Sequence, residues 1–241
     1  AEEEWEECLL KGNFLTKSRA EFQLIETLLW QPEQGYFLLD YHLERLQDTA
    51  HYFHFYCDVK EVKQALQATA TDLRKKSCNK DGQKWRVRLL LYRDGGLEIS
   101  TTPLKESAQQ GKALVFFSPE QVDSYDPHRF HKTTQRELYT REFQRATEQG
   151  YYDILFTNRA EEVTEGAITT VFIRRKQGEP LLTPPVLCGL LPGTYRRMLL
   201  EQGKAVEQVL SKEDLVTAEE LYVANAVRGL VPVCLVQIQE K

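Results

Sequence analysis

Four short stretches of this 241-residue sequence carry residues that could do chemistry. In "FHKTTQRELY", residues 130–139, Lys132 stands between His131 and the hydroxyls of Thr133 and Thr134, ahead of a segment with Leu138 and Phe143 on one face. A lysine amine becomes a nucleophile or proton carrier when its surroundings lower its pKa. In water it is only a solvated charge, and this window alone allows both. In "EEVTEGAITTVF", Glu165 precedes Gly166 at the start of a run of small and β-branched residues, an unusual place for a carboxylate without a buried partner. A solvated turn carboxylate fits the same letters. In "GLLPGTYRR", Pro192 and Gly193 lead into a helix pattern, leaving the amides of Thr194 and Tyr195 free for an anion, although any loop-to-helix junction reads alike. In "ANAVRGLVPV", Asn225, Arg228 and Gly229 interrupt a strand-like run, as a substrate loop or an ordinary β-turn would.

The elements that must position these groups follow from periodicity. "FQLIETLLW" and "GYFLLD" read as strands joined by a hairpin across Pro32 to Gly35. Leu43, Leu46, Ala50 and Phe53 recur at helical spacing with Asp40 as N-cap, and a second helix is expected over about 60–76. "WRVRLLLYRDGGLEIS" is a hairpin about Asp94-Gly95-Gly96. Beyond a polar linker at 106–111, "ALVFF" reads as a buried strand, the segment after Lys132 as a helix up to Gly150, and "YDILF" as a strand. A second hairpin in "ITTVFIRRKQGEPLLTP", helix starts at "PGTYRR" and "SKEDL", and terminal strands complete a mixed α and β chain. The expected organisation is a small N-terminal α/β domain at 1–105 and a larger C-terminal domain at 112–241.

Composition excludes several functions. A net charge of -5 leaves no basic footprint for nucleic acid. Five cysteines at 8, 57, 78, 188 and 234 form no Cys-x-x-Cys pair and have no histidine at ligand spacing, which argues against a disulfide framework or a zinc site. His51 and His54 share a helix without a third metal ligand nearby. No apolar run approaches the roughly 20 residues that span a bilayer, and "AEEEWEE" lacks the features of a signal peptide. A cytoplasmic protein without nucleic-acid or membrane partners is expected.

Taken together, a lysine, a carboxylate, a helix N-terminus and a glycine-bearing loop are what a phosphorylated aldehyde cofactor needs. "HKTTQRELY", "EVTEG", "VF" at 171–172, "GLLPGTYR" and "NAVRGLVPV", with "ETLLW" and "HLERL" before them, occur in an order and spacing that resemble the class IV aminotransferase-like proteins. These are the pyridoxal phosphate enzymes of fold type IV, and the likeness runs over roughly 22–235. Within them, "HKTT" with "NAVRG" is most similar to the 4-amino-4-deoxychorismate lyases, in particular those forming the C-terminal part of para-aminobenzoate synthase fusions.

The resemblance implies a small N-terminal α/β domain, a β-barrel-like C-terminal domain with flanking helices, pyridoxal 5'-phosphate as cofactor, and a homodimer. It implies that Lys132 carries the cofactor and then moves protons, and that Glu165 pairs with the pyridine nitrogen, which makes the ring a better electron sink. Arg45 corresponds to a phosphate-binding arginine, a role suited to a guanidinium fork. Thr194 and Tyr195 correspond to the phosphate amides at the helix start, Leu191 to an apolar contact on the ring, and Ala226 and Val227 to the last phosphate loop. Arg88 matches a substrate-carboxylate residue of related transaminases, and Arg228 is a second anchor for a carboxylate-bearing amine. His131 is read as filling space beside Lys132.

The sequence also departs from the family. Thr170 stands where asparagine is usual, and "SRAEF" replaces a usual "G-D-G" at the N-terminal edge. The implied reaction converts aminodeoxychorismate to 4-aminobenzoate, a folate precursor, and pyruvate. A transaminase of D-amino or branched-chain amino acids would need the same cofactor residues, and a non-catalytic binding homologue is a third reading.

Overall fold

The alternation within "LIETLLWQ" builds the first sheet. In the computed structural model, which describes residues 21–77, 82–105 and 112–236, β1 (Leu24–Gln31) pairs with the two-residue β2 (Gly35–Tyr36) on one edge. Two helices follow, α1 (Leu39–Phe53) and α2 (Val59–Ser77). Then β3 (Trp85–Leu91) pairs along the whole of β1 and turns back into β4 (Leu97–Pro103). Strand side chains alternate between faces. Leu24, Leu28, Trp30, Val87, Leu89 and Leu91 therefore share a core with Leu43, Leu46, Val62, Leu66 and Leu73 of the helices. The same alternation sets Thr27 opposite Arg88 and Leu29 opposite Arg86 in register, away from that core.

The C-terminal part contains β5 (Ala113–Phe117), α3 (Glu137–Glu148), β6 (Asp153–Thr157), β7 (Val163–Gly166), β8 (Thr170–Arg174), β9 (Leu181–Thr183), α4 (Thr194–Glu201), β10 (Ala205–Glu207), α5 (Lys212–Thr217), β11 (Glu220–Asn225) and β12 (Gly229–Leu235). Six of these strands close on themselves in the order β5, β6, β7, β8, β11, β12, while β9 and β10 extend from β8. Val115, Leu155, Val163, Val171, Val223 and Val233, one from each ring strand, meet in one core cluster. Closure leaves the ring without edges, so β6 and β7 are buried at every residue. This is the barrel-like architecture expected of the C-terminal part.

The two parts are tied at Lys132. The edge of β1 that β2 leaves open is taken by residues 132–134. Ile25 N–H donates to the Lys132 carbonyl at 2.9 Å, Thr134 N–H donates to the Gln23 carbonyl at 2.9 Å, and Leu24 bridges Thr133.

Some local expectations are corrected. Asp40 is not the N-cap of α1: the helix begins at Leu39 after Leu38 in left-handed backbone at φ 55, and Asp40 falls in the first turn. That early start also cuts the "GYFLLD" strand to two residues. The helix after Lys132 begins only at Glu137, because 132–134 are drawn into pairing with β1. It ends at Glu148, and Gly150 with φ 83 makes the turn beyond it. The proposed linker 106–111, Cys8, Cys78 and most of "SRAEF" lie outside the described residues. Cys57, Cys188 and Cys234 are free thiols. Among the described residues no helix is long and apolar enough to cross a membrane, and no metal-ligand cluster occurs.

Candidate active site

Lys132 is fixed through its own backbone, which the β1 pairing holds, so that its side chain extends into a cavity shared with Arg45, Glu165, Leu191, Thr194, Tyr195 and Ala226. Its amine has no hydrogen-bond or ion-pair partner among the described residues. Burial pulls the amine down and the guanidiniums of Arg45 and Arg136 push it the same way, with Glu26 and Glu165 opposing; it settles at about 7. An amine so placed is unprotonated in a large fraction of molecules at neutral pH, the condition for attack on a carbonyl.

Glu165 lies in β7 opposite Thr170 of β8 and is 6% exposed. Burial raises its carboxyl, and the Tyr139 hydroxyl at 3.1 Å, the Leu191 N–H and the charges of Arg136 and Lys132 work against burial; the outcome is about 7. The Tyr139 ring lies under Arg129 at 4.5 Å. The turn after Glu165 is stapled by buried Asp153, which accepts from Thr169 Oγ1 at 2.6 Å and from Ile168 N–H at 3.2 Å. A Cβ on Gly166 would lie 2.5 Å from Asp153 Oδ2 and 2.5 Å from Thr169 Oγ1, so a side chain here would have to displace one or both.

At another part of the cavity, α4 begins at Thr194 after Gly193, which brings no capping side chain. Its first amides are available to an anion. Arg45 reaches this helix start and donates to the Pro192 carbonyl at 3.4 Å. Its other donors engage Glu26 of β1: Nε to Oε1 at 2.9 Å and Nη2 to Oε2 at 2.6 Å. His42, one helical turn before Arg45, places Nδ1 2.6 Å from the same Glu26 Oε2 and Nε2 3.4 Å from Thr194 Oγ1. Burial pushes the Glu26 carboxyl up, but Arg45 and His42 together overcome it and hold the group at about 2.

A second, larger cavity of about 380 Å³ adjoins the first through Lys132, Arg136, Ile168 and Asn225. Arg86, Arg88, Arg136 and Arg228 line it, together with Ile25, Thr27, Tyr152 and Val227, and among the described residues no carboxylate does. Arg88 has no ion-pair partner among the described residues, and its charge helps to lower the pKa of Arg136. Asn225 shapes the rim: its Oδ1 accepts from the N–H groups of Val227 and Arg228, each at 3.0 Å.

The structure thus brings Lys132, Glu165, Arg45, Leu191, Thr194, Tyr195 and Ala226 into one cavity, and puts Val227 with Arg88 and Arg228 in the other. His131 hydrogen-bonds Thr49 at 3.2 Å, stacks on Tyr52 at 4.3 Å and also lines the first cavity. His51 and His54 are exposed. Sequence reasoning missed Glu26, His42, Tyr139, Arg136 and Asp153. The signal for Glu26 was present, since it sits in the core-facing register of Leu24, Leu28 and Trp30, where a carboxylate needs a buried partner. Chemically, the donors fit a flat phosphorylated aldehyde: an amine for its carbonyl, a carboxyl for a ring nitrogen, and an arginine with an uncapped helix start for its phosphate.

Known proteins resemble this chain in sequence and in fold. The profile of the family described as amino-transferase class IV matches residues 23–236. A candidate aminodeoxychorismate lyase from Schizosaccharomyces pombe is 28% identical over 232 residues, 92% of this chain and 93% of that protein. A solved candidate amino-acid aminotransferase from Mesorhizobium loti superposes with TM-score 0.79 at 34% identity, covering 90% of this chain and 100% of that one. The PLP-bound form of a hypothetical aminotransferase from Mycobacterium tuberculosis has TM-score 0.75 at 21% identity, covering 88% and 81%. At that identity the likeness speaks for the fold.

Proposed function

Because the chain belongs to the class IV aminotransferase family, we propose that it is a pyridoxal-phosphate-dependent lyase that converts 4-amino-4-deoxychorismate to 4-aminobenzoate and pyruvate. The observation that carries this reading is the cavity beside Lys132, walled by four guanidiniums and, among the described residues, by no carboxylate. Aminodeoxychorismate carries two carboxylates, one on the ring and one on the enolpyruvyl arm, and an arginine fork suits each. A branched-chain or small neutral amino acid brings one carboxylate and would use fewer of those guanidiniums. The lyase-like relative spans nearly its whole length with this chain, and a PLP-bound structure shares the fold.

When bound, the cofactor supplies an aldehyde that holds the substrate amine and a ring that takes up electron density. The chain does the rest. Arg45 and the amides of Thr194 and Tyr195 hold the phosphate, Leu191 and Ala226 enclose the ring, and Glu165 faces its nitrogen. Arg88 and Arg228 orient the substrate by its carboxylates. The Lys132 amine, near neutrality in its acidity, takes the proton from the carbon bearing the amine and returns it to the departing three-carbon unit. That unit leaves as pyruvate and the six-membered ring becomes aromatic, so atoms balance without water or a co-reactant.

The test is to mix the protein with aminodeoxychorismate and pyridoxal phosphate in the absence of any keto acid. Equimolar 4-aminobenzoate and pyruvate are expected. Amino transfer that depends on a keto acid, with no pyruvate, would establish instead the second reading, an aminotransferase, for which the 34% identity to the Mesorhizobium protein speaks. Failure to take up pyridoxal phosphate would remove both and leave a binding role. A homodimer working in the cytoplasm on the route to folate completes the proposal.

A further inference from the structure

Glu26 is 1% exposed and lies in an otherwise apolar stripe of β1. Such a charge is a poor device for stability, since well-packed hydrophobes in place of a buried ion pair are usually as stable or more so. Its contacts suggest another use. Two donors of Arg45 are committed to the two oxygens of Glu26, which fixes the plane of a guanidinium that also reaches the Pro192 carbonyl and lines the cavity. Through its second oxygen Glu26 also holds His42 Nδ1. With Glu26 ionised, Nδ1 carries the proton, and Nε2 is left as the acceptor for the Thr194 hydroxyl. One carboxylate on β1 thereby sets an arginine on α1 and, through a histidine, the first residue of α4.

We propose that Glu26 and His42 are positioning residues for the phosphate end of the cofactor: together they hold Arg45 and Thr194, which come from the two separate parts of the fold, in the arrangement that grips a phosphate. Neither touches the reacting atoms. The inference rests on the cofactor reading above and adds to it the residues that confer selectivity for the phosphorylated form.

The experiment compares dissociation constants of pyridoxal phosphate and of pyridoxal, which lacks the phosphate, by visible absorbance of the bound cofactor in wild type, Glu26→Gln and His42→Asn. Glu26→Gln keeps the shape and loses the charge. His42→Asn keeps an N–H near the Nδ1 position but ends short of Thr194. Glu26→Gln is expected to weaken pyridoxal phosphate about 10- to 100-fold, the loss seen when a partner that orients a metal ligand is removed, while pyridoxal binding stays close to wild type. His42→Asn should show a smaller loss, again confined to the phosphorylated form. Equal weakening of both cofactors would mean general damage to the fold and would overturn the proposal. So would unchanged affinities, or tighter pyridoxal phosphate binding, which would show Glu26 acting as a repelling anion. If Glu26→Gln fails to fold, the His42→Asn ratio decides alone. A wild type that binds neither compound would instead sink the cofactor reading itself.

Discussion

Lys132 and Glu165 reach the cavity from different elements, a β1-paired loop and strand β7, and yet meet at the same acidity: the amine is lowered to about 7 and the carboxyl raised to about 7. Burial drives both shifts, because it disfavours the charged form of either group. Both groups therefore change charge close to neutral pH.

Stability of the cofactor-free protein should reveal this enclosure. The folded pKa of Lys132 lies below its ordinary value of 10.5, so between about 7 and 10.5 the unfolded chain binds more protons at this residue. Its cost to folding is thus full below about 7 and fades as pH rises toward 10.5. Lys132→Met is expected to stabilise by about 3 kcal/mol at pH 6.5, with little gain left near pH 10.5, taking about 1.4 kcal/mol per pKa unit and discounting for residual hydration. Urea midpoints at the two pH values measure it. An equal gain at both would mean that packing, not ionisation, is responsible.

Turnover should depend on the amine rather than on the residue's bulk. Lys132→Ala is expected to lose about 10³-fold or more in kcat, as loss of a proton carrier does, with far-ultraviolet circular dichroism unchanged. Activity near wild type would refute the role given to Lys132.

Substrate capture should depend on the guanidiniums of the larger cavity. Arg88→Leu is expected to raise KM for a dicarboxylate substrate about 10-fold or more, since a hydrogen bond to a charged group contributes about 1.5–3 kcal/mol. Affinity for pyridoxal phosphate should stay as it was, because Arg88 lies outside the cavity that holds Arg45 and Thr194. A fall in cofactor affinity with no change in KM would place Arg88 in the wrong role.

A side chain in the turn behind Glu165 should be costly. Gly166→Ala puts a methyl against Asp153 and Thr169, and overpacking of this kind costs about 1–3 kcal/mol. A lowered urea midpoint with a partial loss of activity is expected. A midpoint equal to wild type would show that the Asp153 carboxylate can swing aside freely.

Much of the site was legible in the sequence because its parts announce themselves locally. Lys132 with its threonines, Glu165 before Gly166 and the Pro192-Gly193 helix start each fit within a few residues. The hairpin about Gly95 and the helix over Val59–Ser77 were readable for the same reason. What escaped depends on distant pairing. Nothing near Lys132 indicates that β1, more than a hundred residues earlier, captures its backbone. Nothing in either strand alone indicates that β12 pairs with β5, more than a hundred residues earlier, to close the ring. Tyr139 looked like one more residue of an amphipathic helix until Glu165 was found against its hydroxyl.

The pairing of β1 has one more consequence. Adjacent residues of this strand serve two ends of the same job: Ile25 holds the Lys132 carbonyl and Glu26 holds Arg45. The strand works as a ruler whose smallest division is one residue, about 3.3 Å. A slip by one division would turn Glu26 out of the core face and uncouple both at once. Substitutions along β1 can drift, but an insertion or deletion between its first residue and Glu26 would put the whole site out of calibration.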